Sequence, residues 1–332
     1  MLMIACDGGG NGEIAVDGSA ADATIDGGAV DAPMIDAAPA ESCTASGWCS
    51  VPDAPSYAWA LSVAPNGQPW TTAYGAYRKK ATVGWDRFEL TWDDLADPFR
   101  FHTELYSVFA LSPTDVWVGG RQGYVGHFDG VSFQERRPAA PWPLGIWGAS
   151  SDDVWVLYDS GLRYRWNGSQ LVSNPTSDVE YNGAWGRAAD DVYGFGETEV
   201  TTNSYRPAID HFDGAQWTMT IVPGFGEVVS LWAASSTDIW AVVRLNGTTR
   251  VIRGSGATWT TISDPAVVQI HAVWGRSASE VWGVGQSGRI VRWNGTSWST
   301  SVSGTTKVLA DINGTGSTIW ATGDGVALHL DQ

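Results

Sequence analysis

The chain has 332 residues, 43% of them hydrophobic, and a net charge of −17. That apolar content suffices for one large core, and no run of 18 apolar residues is present to form a helical membrane span. The acidic balance disfavours nucleic acid and anionic lipid as partners.

The first six residues end in Met3-Ile4-Ala5-Cys6. A large aliphatic residue three places before a cysteine, with a small one directly before it, resembles the lipobox of bacterial lipoproteins. The resemblance implies lipid on Cys6. Only five residues precede Cys6 and none is basic, so a basic and apolar segment is expected upstream; a chance match is the alternative. Residues 7–42 are dominated by Ala, Gly and Asp, and residues 1–41 hold eight acids and no Lys or Arg. Such a segment buries too little apolar area to offset its ordering entropy, so a disordered acidic tether is expected over 7–42. Cys43 and Cys49 follow. In an exported chain they read as a disulfide clamping a short loop, and in a cytosolic chain as two free thiols.

Residues 43–332 repeat one unit. Its clearest copy runs from Ile270 to Thr300: Trp274-Gly275 ends a first apolar run, Glu280-Val281-Trp282 opens a second, and Ile290–Trp293 leads through Asn294-Gly295 into Trp298. Four short strands in about 38 residues match one blade of a β-propeller. The second-strand aromatic recurs as Trp70, Trp117, Trp155, Tyr193, Trp240, Trp282 and Trp320, spaced 47, 38, 38, 47, 42 and 38 residues apart. The predicted fold is therefore all-β, a seven-bladed propeller of four-stranded antiparallel blades. The last copy ends before its fourth strand. Ser46-Gly47-Trp48 matches Ala257-Thr258-Trp259 and is expected to close the ring against 326–330, which would remove the open edges.

With its Trp-Gly first strands, Asp-x-Trp second strands and Asp-Gly or Asn-Gly turns, the repeat resembles the propeller repeats of exported lipoproteins of the myxobacterial type, which have no assigned function. It is more remotely similar to sialidase-like and photosystem II assembly factor propellers. The likeness spans about residues 46–332. It implies export to the outer membrane, periplasm or cell surface of a Gram-negative bacterium, with a lipid anchor if Cys6 is modified. The sialidase Asp-box is matched only in its second half, at Asp213-Gly214-Ala215-Gln216-Trp217, and its leading Ser is absent.

Two recurring side chains could carry chemistry. A cation precedes the end of the third strand (His127, Arg165, His211, Arg253, Arg292, His329), and an acid precedes the second-strand aromatic by two (Asp115, Asp153, Asp191, Asp238, Glu280). Copy one has Gly84 and Gln68 there, and copy seven has Thr318 for the acid. If Trp282 faces Arg292, then cation, acid and indole meet in each blade. Repetition in nearly every copy favours a register lock over an anion site. The Asn-Gly pairs at Asn167, Asn246 and Asn294, and Asn313-Gly314, are expected hairpin turns of type I′. No metal-ligand spacing, cofactor motif or catalytic set is present, and His102 and His271 stand alone.

The copies differ in the loops of one face, where the second-to-third and fourth-to-first connections emerge. The extra length falls at 74–80 and 93–103 in copy one and at 197–206 in copy four. The expected binding face is therefore basic and aromatic: Tyr74, Tyr77, Arg78, Lys79, Lys80, Arg100, Phe101, His102, Tyr205 and Arg206, with Trp142 between two prolines. A non-enzymatic, lipid-tethered, monomeric binding or scaffold module for a protein or glycan is the first reading. The alternative is a polysaccharide hydrolase or lyase at the propeller axis, using carboxylates such as Glu197, Glu199, Asp93 and Asp94.

Overall fold

The computed structural model describes residues 40–88, 90, 104–138, 142–316 and 318–332. Cys6, residues 7–39, Asp93, Asp94, Arg100, Phe101 and His102 lie outside them.

Seven antiparallel sheets form the blades, each running outward from an inner strand, in chain order in the first six. The inner strands are Ala60–Val63, Leu105–Ser112, Pro143–Ser150, Val179–Ala188, Glu227–Ser235, Ile270–Ser277 and Leu309–Thr315. Each contacts the inner strand of the next blade, and the seventh contacts the first. The ring closes as the sequence suggests. Cys49–Ser50 becomes the fourth strand of blade seven, pairing Cys49 with His329 and Ser50 with Leu328. The Val51 amide adds a bond to the Ala327 carbonyl at 2.9 Å. Ser42–Cys43 lies outside this strand, and a Cys43–Cys49 disulfide joins the two.

The core is built between blades. Most second-strand aromatics pack on aromatics from the outer strands of the following blade: Trp155 lies 5.1 Å from Phe212 and 5.0 Å from Trp217, and Trp240 lies 5.7 Å from Trp293. Trp48 performs this function in blade seven, with its ring 5.7 Å from that of Trp282 and no exposed surface. The Trp-Gly pairs of the inner strands also join neighbours. Trp232 lies so close to Gly275 of the next blade that a Cβ there would sit 2.8 Å from the indole.

The cation and acid meet as the register predicts, with Trp282 opposite Arg292. His127 reaches Asp115 at 2.9 Å, Arg165 reaches Asp153 at 2.6 Å, His211 reaches Asp191 at 2.7 Å and Arg253 reaches Asp238 at 2.6 Å. Each cation also lies over its second-strand aromatic; Arg253 is 4.5 Å from the Trp240 centroid. The acid begins its strand beside the short first-to-second turn, so the locks sit toward the short-turn end of the blades. Arg253→Ala should lower stability by about 1 kcal/mol, as measured by urea denaturation, because the pair is bidentate but a third exposed.

Two blades depart from the expected pattern. In blade one the third strand is Gly75–Lys79, reached through Tyr74 alone, and the cation is Arg78 rather than a residue near Gly84. Its partner is Asp86 of the fourth strand, at 2.9 Å. Gly75, at φ 147°, permits this turn. In blade seven His329 takes Glu41 at 3.1 Å and Asp331 at 3.2 Å, because Thr318 replaces the second-strand acid. The turns differ as well. At Asn167 and Asn294 only the following glycine has positive φ, and the Asn side chain instead accepts two backbone amides, so these turns are not type I′. Asn246-Gly247 does have positive φ at both residues. Asn313 is no turn: it lies on the inner strand Leu309–Thr315 and accepts the Val63 amide at 3.0 Å.

Candidate functional site

The inner strands begin on the face where the fourth-to-first connections enter. In blades two to seven each carries a β-bulge near that start, between Leu105 and Ser107, Pro143 and Gly145, Tyr181 and Gly183, Val228 and Ser230, Ile270 and Ala272, and Leu309 and Asp311. A bulge re-aims the extra residue and bends the strand, which is how sheets shape the rims of closed folds. The bulged residues include Tyr106, Asn182 and His271. Asn182 donates to Glu227 at 2.7 Å and to the Val228 carbonyl at 3.2 Å on the next inner strand. His271 is half-buried, and burial, with Arg244 nearby, holds it below the usual histidine range.

Around one side of this mouth runs an arc of five rings. Tyr57 lies 5.9 Å from Tyr74, Tyr74 lies 5.6 Å from Trp59, Trp59 lies 5.8 Å from Tyr106, and Tyr106 lies 6.4 Å from Trp142. They come from four successive places in the ring: the entry to blade one, its second-to-third turn, and the starts of blades two and three. Tyr57 is 51% exposed, Trp142 45%, and Trp59 and Tyr74 37% each. Tyr106 donates to Glu104 at 2.6 Å, and its hydroxyl is pushed up to about 12 by burial and by that carboxylate.

The arc leads into carboxylates. The Trp142 amide donates to Asp159 at 3.3 Å, and the Asp159 amide donates back to the Trp142 carbonyl at 3.0 Å. Beyond Asp159 come Glu180, Glu197, Glu199 and Glu227. Glu180 and Glu197 face each other across the first strand pair of blade four. Burial raises Asp159 above the usual carboxylate range. Burial, then Asp159 and Glu199, does the same for Glu180, and burial, then Glu227 and Glu180, for Glu197. These acids push on one another, and Arg244 offsets the push on Glu197 in part. Arg244 pairs with Glu227 at 2.9 Å, and Arg206 lies 4.1 Å from the Phe225 centroid while donating to Gly224.

Many solved propellers match this chain. The likeness is one of fold. YCF48 bound to a D1 peptide superposes with a TM-score of 0.65 at 15% identity, covering 86% of this chain and 97% of that one. Virginiamycin B lyase from Staphylococcus aureus, solved with quinupristin, gives 0.66 at 16% identity over 85% and 98%. A chain of the mitotic checkpoint complex gives 0.64 at 10% identity over 96% and 99%. No family model and no curated protein matches the sequence. Structures with this fold thus include protein-binding chains and a lyase.

The expected basic and aromatic cluster is only partly brought together. Tyr74 and Trp142 join the aromatic arc. Tyr77 and Arg78 are mid-strand in blade one, where Arg78 forms the blade lock. Lys79 and Lys80 sit at the opposite end of the blade, at the turn in which the Lys80 amide bonds Gly84. Tyr205 and Arg206 lie on the tall hairpin of blade four, whose strands Asp191–Thr201 and Ser204–Phe212 replace the expected loop. Tyr205 faces Glu199, and that carboxylate raises its hydroxyl. The described part of the face is therefore aromatic and acidic. Tyr57, Trp59 and Tyr106 escaped the sequence reading, although Tyr57 and Trp59 fall outside every repeat position in the segment between closing strand and first blade.

Two further carboxylates break the repeat. Asp210 replaces the small or apolar residue found at Gly126, Ile252 and Val291, and it is 1% exposed. It accepts from Tyr181 and Ser177, each at 2.7 Å, and from the Arg163 guanidinium of blade three. Asp311 on the inner strand of blade seven accepts the Leu61 and Ile312 amides, each at 2.8 Å. Burial pushes its carboxyl up to about 6. The fold therefore holds a proton that the unfolded chain releases, so Asp311 costs stability as pH rises from about 4 through 6. Asp311→Asn should gain on the wild type across that window by up to about 3 kcal/mol, read from melting curves at each pH. Equal pH slopes for the two proteins would refute the assignment.

Proposed function

We propose that this chain is a non-enzymatic, exported binding module whose channel mouth docks a protein partner. The observation that carries the reading is the contiguous arc of Tyr57, Trp59, Tyr74, Tyr106 and Trp142, four of whose rings are substantially exposed. Exposed aromatic patches of this kind mark interaction sites, and aromatic anchors dominate binding energy at interfaces. The Cys43–Cys49 disulfide favours an oxidising compartment, in keeping with export and with the lipobox-like Met3–Cys6. A lipid on Cys6 would hold the propeller at a membrane of a Gram-negative bacterium, with residues 7–42 as spacer. YCF48, which has the same fold, is solved with a peptide bound.

The test is a photo-crosslinking residue placed at position 74 or 142 in the producing cell, with position 131 on the opposite face as control. Protein adducts from 74 and 142 but not 131 are expected. Glycan adducts alone, or equal labelling from all three, would overturn the reading. A second reading, polysaccharide cleavage at the axis, draws on the raised carboxyls of Glu180 and Glu197. It requires depolymerisation of an acidic or neutral polysaccharide that Glu197→Gln abolishes.

A further inference from the structure

The chemistry of the mouth narrows what can dock there. Five rings follow one another in T-shaped and tilted contacts, and their far end is fastened to a carboxylate through the paired backbone bonds of Trp142 and Asp159. From Asp159 the acids run on through Glu180, Glu197 and Glu199, and no ion pair to any of these four is found among the described residues. Glu199 spends one oxygen on the Asn203 amide at 2.6 Å, and Glu180 and Glu199 are exposed. Nearby cations are held by other partners: Arg244 by Glu227, Arg206 by the Gly224 carbonyl, and Arg121 by Glu104 at 3.8 Å. The face therefore presents carboxylates without ion pairs beside π-faces, with Arg87 donating to the Tyr74 carbonyl at 3.2 Å at the far end of the arc. Both attract the same ligand. A cation is drawn to an aromatic quadrupole, and the alkyl stems of Lys and Arg pack on rings while their heads reach for carboxylates. An acidic glycan or acidic peptide would meet like charge instead, which penalises the wrong partner.

Resting on the binding reading above, we propose that the occupant of this face is a cationic peptide segment. Its Lys or Arg stems lie across Trp59, Tyr106 and Trp142, and its charged heads face Asp159, Glu180 and Glu199. Extended chain suits the arc better than a compact ligand, because the rings are strung along the entries of three successive blades.

The experiment uses the whole chain and two synthetic peptide sets. One alternates Lys with Gly and Leu, and the other has Glu at each Lys. Titration calorimetry or fluorescence of the exposed tryptophans reports binding. The Lys set should bind and the Glu set should not, with affinity falling as salt is raised. Trp59→Ala should weaken binding about tenfold or more. The double variant Glu180→Gln, Glu199→Gln should weaken it and flatten the salt dependence. All three side chains are at least one-third exposed, so these variants keep the fold, which melting curves verify. Val131→Ser, on the opposite face, should change nothing. If the Glu set binds in a Trp59-dependent way, the cationic class is wrong while the docking face stands. If neither set binds and the crosslinks at 74 and 142 are also absent, the docking face itself is wrong. Lys-set binding that Trp59→Ala leaves unchanged would show charge attraction elsewhere and overturn the proposal.

Discussion

Trp48→Ala is expected to destabilise the whole propeller by about 3–5 kcal/mol, rather than fraying one terminus. Trp48 is fully buried, and its ring packs edge-on against Trp282. The segment around it supplies the fourth strand of blade seven and hydrogen-bonds the last strand. Thr44 and Ser46 also donate to the Val302 carbonyl of blade six, at 3.0 and 2.6 Å. Losing this segment exposes the edge of Val326–Asp331 and uncovers Trp282. Chemical denaturation followed by tryptophan fluorescence should show one cooperative transition at lower denaturant. An unchanged midpoint would mean that the ring is held without its closing strand. Cys43→Ser should be milder, about 2 kcal/mol, because the disulfide closes a loop of only a few residues.

Asp210→Ala should cost a similar 3–5 kcal/mol, for a different reason. Arg163 is 6% exposed and would remain buried without its counter-charge. Its Nε donates to the Tyr181 hydroxyl at 2.6 Å, and that hydroxyl donates in turn to Asp210, so removing the carboxylate disorders the relay as well. The Trp217 ring, 4.7 Å from the guanidinium, cannot replace an anion. Exchanging both charges for apolar residues, Arg163→Met with Asp210→Leu, should recover most of the loss, since a buried ion pair contributes little once desolvation is counted. Denaturant midpoints of the single and double variants decide the matter. Additive losses would show that the two groups do not act as a pair.

The fold was legible in the sequence because propeller blades repeat their packing logic. The second-strand aromatic, the third-strand cation and the strand-opening acid each sit at a fixed register, so a reader who aligns Trp240 with Trp282 has found the blade. Even the closing strand could be seen, since Trp48 copies Trp259. Blade one was misread because Ala73-Tyr74-Gly75 makes a turn without the usual Asn-Gly or Asp-Gly pair. That error moved Arg78 from the blade lock into a supposed loop. The mouth was half legible. Tyr74 and Trp142 stand outside the repeat and drew attention. Tyr106 was hidden because a bulge carries it to the rim, and no single-sequence pattern marks a bulge. The acidic side was also half legible: Glu197 and Glu199 stand out in the longer connection, whereas Glu180 meets Glu197 only across the strand pair Val179–Ala188 and Asp191–Thr201.

The pairing of Cys49 with His329 also sets an order of events during folding. Loop closure over nearly the full chain is the slowest contact a ring of this kind can make. Until Val326–Asp331 is made, blade seven has no third strand to offer, so the segment around Cys49 must wait for it. The Cys43–Cys49 hairpin is local and can form early, so the waiting segment is already shaped when its partner arrives. Without the strand Val326–Asp331 the blades would form an open arc with a free sheet edge.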